Sequence, residues 1–358
     1  MDFAFSAEQE LLRGSAREFL ADQYPLERIA EIVDGDPGWP PQCWKQLADL
    51  GWLDTELDLL DHVVVFEETG YGLLPAPLFS TLALALPAVE HASGEFAGLR
   101  AEVTAGGLRL SLAWAQAGRP HGLRAAASST VSVDGGGAVR GQTVLVPDAT
   151  LVDAFVVATA AGLRLVRAAD ATVLPRDTAD RSRRLADVTF DGAPSTPLVD
   201  TAGAPSVLAA IERRALVLAA AEALGVARRA IEIAVEHAST REQFGRPIGG
   251  YQAVSHQIVD AYATVELARS VTYWAAWTVT DAADGGQPAG QVDAACSAAK
   301  SSAAEAAVLA CERAIQVCGG VGFTWEHVLH RLYKRALWLE LFAGHGREHR
   351  ARIAEIVL

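Results

Sequence analysis

From about residue 206 to its end the chain reads as helix, and this constrains the fold more than any other feature. Residues 207–239 carry an apolar stripe through Leu208, Ile211, Ala215, Leu218 and Val226. Residues 252–280 and 292–317 form two more long helices, separated by the turn Asp284-Gly285-Gly286. High alanine content lets helix axes approach closely, and long helices with short connections favour a bundle.

The rest of the chain differs in pattern. Residues 1–105 are also helical, opening with a capping-box signature at Ser6 and Gln9 ahead of Leu11, Leu12, Ala16, Phe19 and Leu20. Further helices are expected around Trp44, Leu47 and Leu50, stopping at Gly51, then over 63–68 and in the alanine- and leucine-rich run from near Leu78. Between roughly 106 and 200 the period changes. Residues 130–133, 143–146 and 154–157 are short β-rich runs, punctuated by Asp134-Gly135-Gly136-Gly137, Gly162 and Asp191-Gly192. Short strands at close spacing predict a small β-barrel or sandwich, with its arginines on solvated strand faces. The expected fold is mainly α with a β middle domain: an N-terminal helical domain over 1–105, a β domain over 106–200 and a C-terminal four-helix bundle over 201–358. A chain of 358 residues, 51% hydrophobic, can bury the cores of two or three such units.

Composition and motifs exclude several function classes. The formal charge of −14, from 44 acidic and 30 basic residues, argues against nucleic-acid binding, which needs a basic face. No basic stretch followed by an apolar run opens the chain, and the longest apolar runs carry charges, so neither a signal peptide nor a membrane span is expected. Cys43, Cys296, Cys311 and Cys318 are scattered without a CxxC pair, the pattern of free thiols in a reducing cytoplasm. The glycine clusters at 135–137 and 319–322 do not fit GxGxxG between a strand and a helix, and GxSxG, HExxH and P-loop motifs are missing. His345 and His349, near His327 and His330, lack the cysteine or carboxylate spacing of a metal site.

The most informative stretch is Arg241-Glu242-Gln243-Phe244-Gly245-Arg246-Pro247-Ile248, where the long helix must end, followed by Gln252. Taken with Gln316-Val317-Cys318-Gly319-Gly320-Val321-Gly322-Phe323, it resembles the acyl-CoA dehydrogenase family. The resemblance implies FAD as cofactor, an acyl-CoA substrate, and electron-transfer flavoprotein as acceptor. In that family the matching arginine and the glutamine–glycine loop reach across a dimer interface to the neighbour's FAD. Carried over, Arg241, Gln243, Phe244, Gln252, Gln316, Gly319 and Gly320 would contact its pyrophosphate and adenosine. A pyrophosphate is an anion suited to a guanidinium, to backbone N–H groups and to glycines that permit close approach.

The family oxidises an acyl thioester to the α,β-enoyl thioester, a glutamate taking the α-proton. At the two places where the resemblance puts that glutamate, this chain has Ala343 and Ala215. The flavin-lining turn corresponds to Ala115-Gln116-Ala117-Gly118 and the flavin-flanking strand to Leu145-Val146-Pro147, where Pro147 has no N–H to give. The N-terminal Pro-Glu-x-x-Gly-Gly loop is missing, Gly51-Trp52-Leu53 running almost directly into the helix over 63–71. Positions a subunit gives to its own flavin are changed and those it gives to its neighbour's are kept. The chain is therefore expected to be the base-lacking partner in an α2β2 assembly with a homologous subunit, resembling those of actinobacterial sterol side-chain degradation. Two alternatives stand beside it. One is a self-sufficient homomeric dehydrogenase of acyl-CoA or acyl-carrier-protein thioesters, with a relocated carboxylate, Glu222 or Glu340. In its plainer reading Glu222 pairs with Arg228 or Arg229, and Glu340 is solvated or salt-bridged. The other alternative is a flavin-free structural subunit.

Overall fold

The structure, a computed structural model, describes residues 5–35, 38–92, 96–118, 122–283 and 285–358. Asp284 of the predicted turn lies outside these, while Gly285 adopts φ +83°. The helices are α1 (Ala7–Gln23), α2 (Leu26–Asp34), α3 (Pro41–Asp49), α4 (Leu59–Gly72), α5 (Leu86–His91) and α6 (Ala97–Thr104), then α7 (Ala204–Thr240), α8 (Gln252–Ala283), α9 (Ala289–Cys318), α10 (Leu329–Leu341) and α11 (Gly346–Val357). Eight strands, β1 to β8, lie between Leu110 and Val199. The chain divides into two compact units, one of Met1–Gly35, Asp58–Leu74 and Leu216–Leu358, the other of Asp36–Leu57 and Pro75–Ala215.

In the first unit the expected capping box is present: Gln9 N–H donates to Ser6 Oγ at 3.1 Å and Ser6 N–H to Gln9 Oε1 at 3.2 Å. α4 begins with a second box, Asp58 with Asp61. α4 and α7 touch backbone to backbone. A Cβ at Gly225 would lie 1.9 Å from the Glu67 carbonyl oxygen, and one at Gly70 would lie 2.1 Å from that of Glu222. This contact buries Glu67 and Glu68, at 1% and 0% exposure. Arg228 answers them, donating to Glu67 at 2.9 Å and to Glu68 at 2.7 Å, and Arg269 and Arg17 add further bonds. α8 and α9 form an antiparallel hairpin, α9 burying small residues such as Ala295, Ala299, Ala303, Ala307 and Ala310 along its length. α10 and α11 pack on α9 in turn. Among the described residues, Ala289–Phe323 is the one helical stretch long and apolar enough to cross a membrane by length and composition; 50% of its apolar window is buried inside the protein, as in a core helix.

In the second unit β1 (Leu110–Ala113), β4 (Ala154–Thr159), β5 (Gly162–Arg167) and β8 (Thr196–Val199) form one sheet in the order β1-β4-β5-β8. β2 (Ser132–Val133), β3 (Val139–Pro147), β6 (Thr172–Arg176) and β7 (Leu185–Ala193) form another, ordered β2-β3-β7-β6. Every pairing is antiparallel except β1 with β4. Phe155, Val157 and Val166 of one sheet share a core with Val139, Val188 and Phe190 of the other, Phe155 and Phe190 meeting edge to face at 6.2 Å. Not all the arginines here are solvated as expected. Arg183 is 3% exposed, 3.7 Å from the Asp148 carboxylate and over the Phe79 ring. The run after Leu78 departs from a plain α-helix, being a π-helix over Phe79–Ala85 that continues into α5. Pro87 supplies the reason: it has no N–H, and its ring clashes with the carbonyl four residues back, at Ala83.

Candidate functional site

α7 ends at Thr240 and the Arg241 motif follows as a tight hairpin, β9 (Glu242–Gln243) pairing with β10 (Arg246–Pro247). Phe244 and Gly245 make its tip with φ +53° and +81°, a conformation uncommon for a phenylalanine. The base of the hairpin is closed by Ile248 N–H donating to the Arg241 carbonyl at 2.8 Å, and Tyr251 Oη donates to the Gln243 carbonyl at 3.1 Å. The Arg246 guanidinium lies over the Tyr251 ring at 4.0 Å. Gln252 then opens α8. α8 and α9 are long antiparallel neighbours of 32 and 30 residues, so the start of α8 and the end of α9, with Gln316 and Gly319, share one end of the bundle. His327, beyond that end of α9, has its pKa lowered by burial and by the nearby His237 in the last turn of α7.

The seven candidate residues Arg241, Gln243, Phe244, Gln252, Gln316, Gly319 and Gly320 are thus gathered at one end of the bundle, and all are exposed. Phe244 is the extreme, at 94%. Gly319 has φ +63°, and a Cβ at Gly319 or Gly320 would meet open space. The arrangement is a polar rim of one guanidinium and three carboxamides around an uncrowded glycine turn, beside an unburied aromatic ring. Such a rim can bind an anion with an attached ring system.

The candidate base positions look different. Ala215 is 0% exposed within α7. Glu222, 3% exposed, does not pair with Arg228 or Arg229 as expected; its Oε1 accepts from Nη1 of Arg335, a guanidinium at 0% exposure on α10. Helix geometry accounts for the correction: Arg229 is seven residues on, about 10.5 Å along the axis, and Arg228 projects from another face. Arg228 serves Glu67 and Glu68, and Arg229 donates to Tyr71 Oη at 2.9 Å. Glu340 Oε1 lies 3.4 Å from His345 Nε2, an ion pair when the imidazole is protonated. Ala343 sits in the turn between α10 and α11 with φ +56°, followed by Gly344 at φ +117°.

In the β region, Gln116 is 7% exposed and spends its amide on Ser129 at 2.6 Å and Thr130. Leu145 has φ +54° at a bulge in β3, its N–H reaching Asp187 at 3.2 Å, and the Pro147 carbonyl accepts from Ser111 Oγ at 2.6 Å. The Asp187 carboxyl is held below its ordinary range by the Arg176 guanidinium. Trp52 and Leu53 are fully buried in the second unit. Of the histidines, His345 caps α11, His330 stacks on Trp325 at 4.7 Å and His349 is 4% exposed; among the described residues none joins a metal-binding group.

Sequence reasoning missed Arg335 and Lys300. Both are cations in apolar helical stripes, Lys300 within Ser297-Ala298-Ala299-Lys300-Ser301-Ser302-Ala303, a pattern that signals a buried charge with dedicated partners.

Comparison with known proteins bears on this arrangement. The C-terminal domain family of acyl-CoA dehydrogenases matches residues 202–358. Acyl-CoA dehydrogenase IpdE2 of Mycobacterium tuberculosis is 29% identical over 344 residues, covering 92% of this chain and 91% of that protein. A variant of the Tcur3481-Tcur3483 steroid ACAD superposes with a TM-score of 0.84 at 28% identity, covering 98% of this chain and 97% of that one. The ChsE4-ChsE5 complex from Mycobacterium tuberculosis gives a TM-score of 0.84 at 25% identity, covering 99% and 98%. With its mainly helical fold and β region the chain is similar over nearly its whole length to acyl-CoA dehydrogenases, and its motif-bearing bundle, residues 202–358, belongs to the C-terminal domain family of those enzymes.

Proposed function

We propose that this chain is the base-lacking subunit of a heteromeric FAD-dependent acyl-CoA dehydrogenase. Residues 201–358 complete the FAD site of a neighbouring homologous chain, which carries the glutamate. The observation that carries this reading is the exposure of all seven motif residues at one end of the bundle. Phe244 above all combines 94% exposure with left-handed backbone, two costs that a residue without a partner has no reason to bear.

The residues present fit such a cofactor. Arg241 offers a fork of N–H donors to a pyrophosphate, Gln243, Gln252 and Gln316 offer amides, and Gly319 and Gly320 leave the space a phosphate chain needs. When bound, FAD would supply the two-electron acceptor for dehydrogenation of a thioester. This chain's own part is to bind and orient it. The alanines at 215 and 343 can hold no proton, and electron-transfer flavoprotein is the proposed external acceptor. The two structural relatives named for paired components, Tcur3481-Tcur3483 and ChsE4-ChsE5, support a heteromer, and the steroid named in the first suggests a bulky acyl group.

A self-sufficient enzyme using Glu222 or Glu340 is disfavoured. Glu222 is committed to Arg335 and Glu340 to His345. Co-purification with a neighbouring acyl-CoA dehydrogenase chain, followed by counting flavin per assembly from its absorbance, tests the proposal. Fewer FAD than chains, with dehydrogenation only in the mixed assembly, is the expected result. A homomer of this chain with one FAD per subunit and full turnover would overturn it, and a colourless mixed assembly would favour a structural subunit.

A further inference from the structure

The turn at Ala343 is held by a lysine that no part of the proposed function uses. Lys300, midway along α9, is 1% exposed. Its Nζ donates to the Glu340 carbonyl at 2.6 Å and also to the Gly344 carbonyl. These two oxygens flank the turn. The first belongs to the last turn of α10, where carbonyls lack partners within the helix, and the second lies just before α11. Other contacts clamp the same segment. Phe342 N–H donates to the Trp338 carbonyl at 2.9 Å and Gly344 N–H to the Leu341 carbonyl at 3.3 Å. His345 caps α11 by accepting from Arg347 N–H at 3.3 Å, and Arg350 ties α11 to Glu305 of α9 at 2.5 Å.

We infer that Lys300 is a positioning residue: its Nζ, which keeps two N–H donors even as a neutral amine, holds position 343 through the carbonyls of Glu340 and Gly344 in a left-handed turn, a preformed seat for a side chain that this chain leaves as alanine. The inference rests on the family reading of position 343. The turn costs backbone energy at a non-glycine residue and is built from a buried charge, yet Ala343 makes no use of it. On that reading the turn is a seat without its side chain. Neighbouring charges favour the ammonium: Glu340 from α10, Glu348 from α11 and Glu305 from α9 raise its proton affinity. His349 of α11 lies close enough for Lys300 to lower its pKa. Burial outweighs the carboxylates and brings Lys300 to about 8 from 10.5.

That imbalance gives the test a sign. Opening the turn returns Lys300 to water, where it regains an ordinary pKa. Between pH 8 and 10.5 the open state therefore binds more protons than the closed one, and raising the pH disfavours opening. Amide hydrogen exchange of the full chain, read on the peptide spanning residues 341–346 and corrected for intrinsic rates, should show protection rising by up to about tenfold per pH unit above 8. In Lys300→Met the same amides should lose most of their protection and show no such rise. Wild-type protection in Lys300→Met, or a flat or falling profile in the wild type, would overturn the inference. The wild-type profile decides alone if the variant does not fold. Because exchange is read without cofactor or turnover, failure here leaves the proposed function standing.

Discussion

Adding one methyl group to Gly225 should separate α4 from α7. An added Cβ would lie 1.9 Å from the Glu67 carbonyl oxygen and 2.6 Å from the Tyr71 nitrogen, both backbone atoms on a helix that cannot yield locally. Carbon–oxygen contacts begin near about 3.3 Å, so α4 must retreat by about 1.4 Å. The Arg228 bonds to Glu67 and Glu68, now 2.9 and 2.7 Å, would then stretch past 4 Å. Both carboxylates are buried; Glu68 would lose its nearest cation and Glu67 one of its two, the other being Arg269 at 2.7 Å. Overpacking costs about 1–3 kcal/mol and weakening a buried charge pair adds to it, while alanine regains about 1 kcal/mol of helix propensity. The expected net loss for Gly225→Ala is roughly 2–4 kcal/mol. Gly14 of α1 is the control: it is exposed, and a Cβ there meets nothing within 4 Å. Gly14→Ala should stabilise by about 0.8–1 kcal/mol. Urea unfolding followed by circular dichroism, at one protein concentration, compares the two. Gly70→Ala should add little to Gly225→Ala, since one separation relieves both clashes. Two stabilising substitutions, or additive losses at Gly70 and Gly225, would refute the close-contact argument.

Phe244→Ala should leave the stability of the chain within about 0.5 kcal/mol, because the ring is exposed, yet lower FAD retention in the mixed assembly, as measured by flavin absorbance after gel filtration. Glu340→Gln should leave turnover per assembled site unchanged; a loss of more than about a hundredfold would revive the relocated-base alternative. Ala343→Gly should stabilise the chain by about 0.5–1 kcal/mol, relieving a left-handed alanine. Burial lowers the His349 pKa to about 4, with Lys300 and Arg352 adding to the effect. Its contribution to stability is therefore complete above pH 6.5 and is lost as the pH falls from 6.5 through 4, by at most about 3 kcal/mol. A His349→Gln variant should show a shallower loss over that window in acid unfolding.

Much of this arrangement was legible in the residues because it depends on local pattern. Ser6 and Gln9 announce α1, alanine spacing marks α8 and α9, and the glycine-punctuated runs mark the two sheets. The Arg241 hairpin was legible too, as Gly245 and Pro247 cannot continue a helix. What escaped depends on which helices meet. Nothing local to Glu222 says that its partner is 113 residues away on α10, so it was assigned to the nearest arginines in sequence. The π-helix likewise needed Pro87 to be weighed against the four residues before it, where composition alone reads as plain helix. Lys300 was hidden for the opposite reason: a single cation among alanines attracts no motif, and only its two carbonyl partners give it meaning.

On the proposed reading the Lys300 turn also has a functional context. A subunit that gives up proton abstraction but keeps a shared cofactor site is released from constraint at single side chains, not at backbone. Position 343 can become alanine without consequence for assembly, whereas the turn beneath it cannot relax without moving α11, whose Arg350 and Arg352 reach Glu305 and Asp293 of α9. α9 also carries Gln316 and Gly319 to the exposed end of the bundle. The lysine that holds the empty turn therefore stands on the same helix that presents the cofactor motif. Losing the lysine's two hydrogen bonds would disturb the element the assembly still needs, so on this reading the turn and the cofactor motif are coupled through α9.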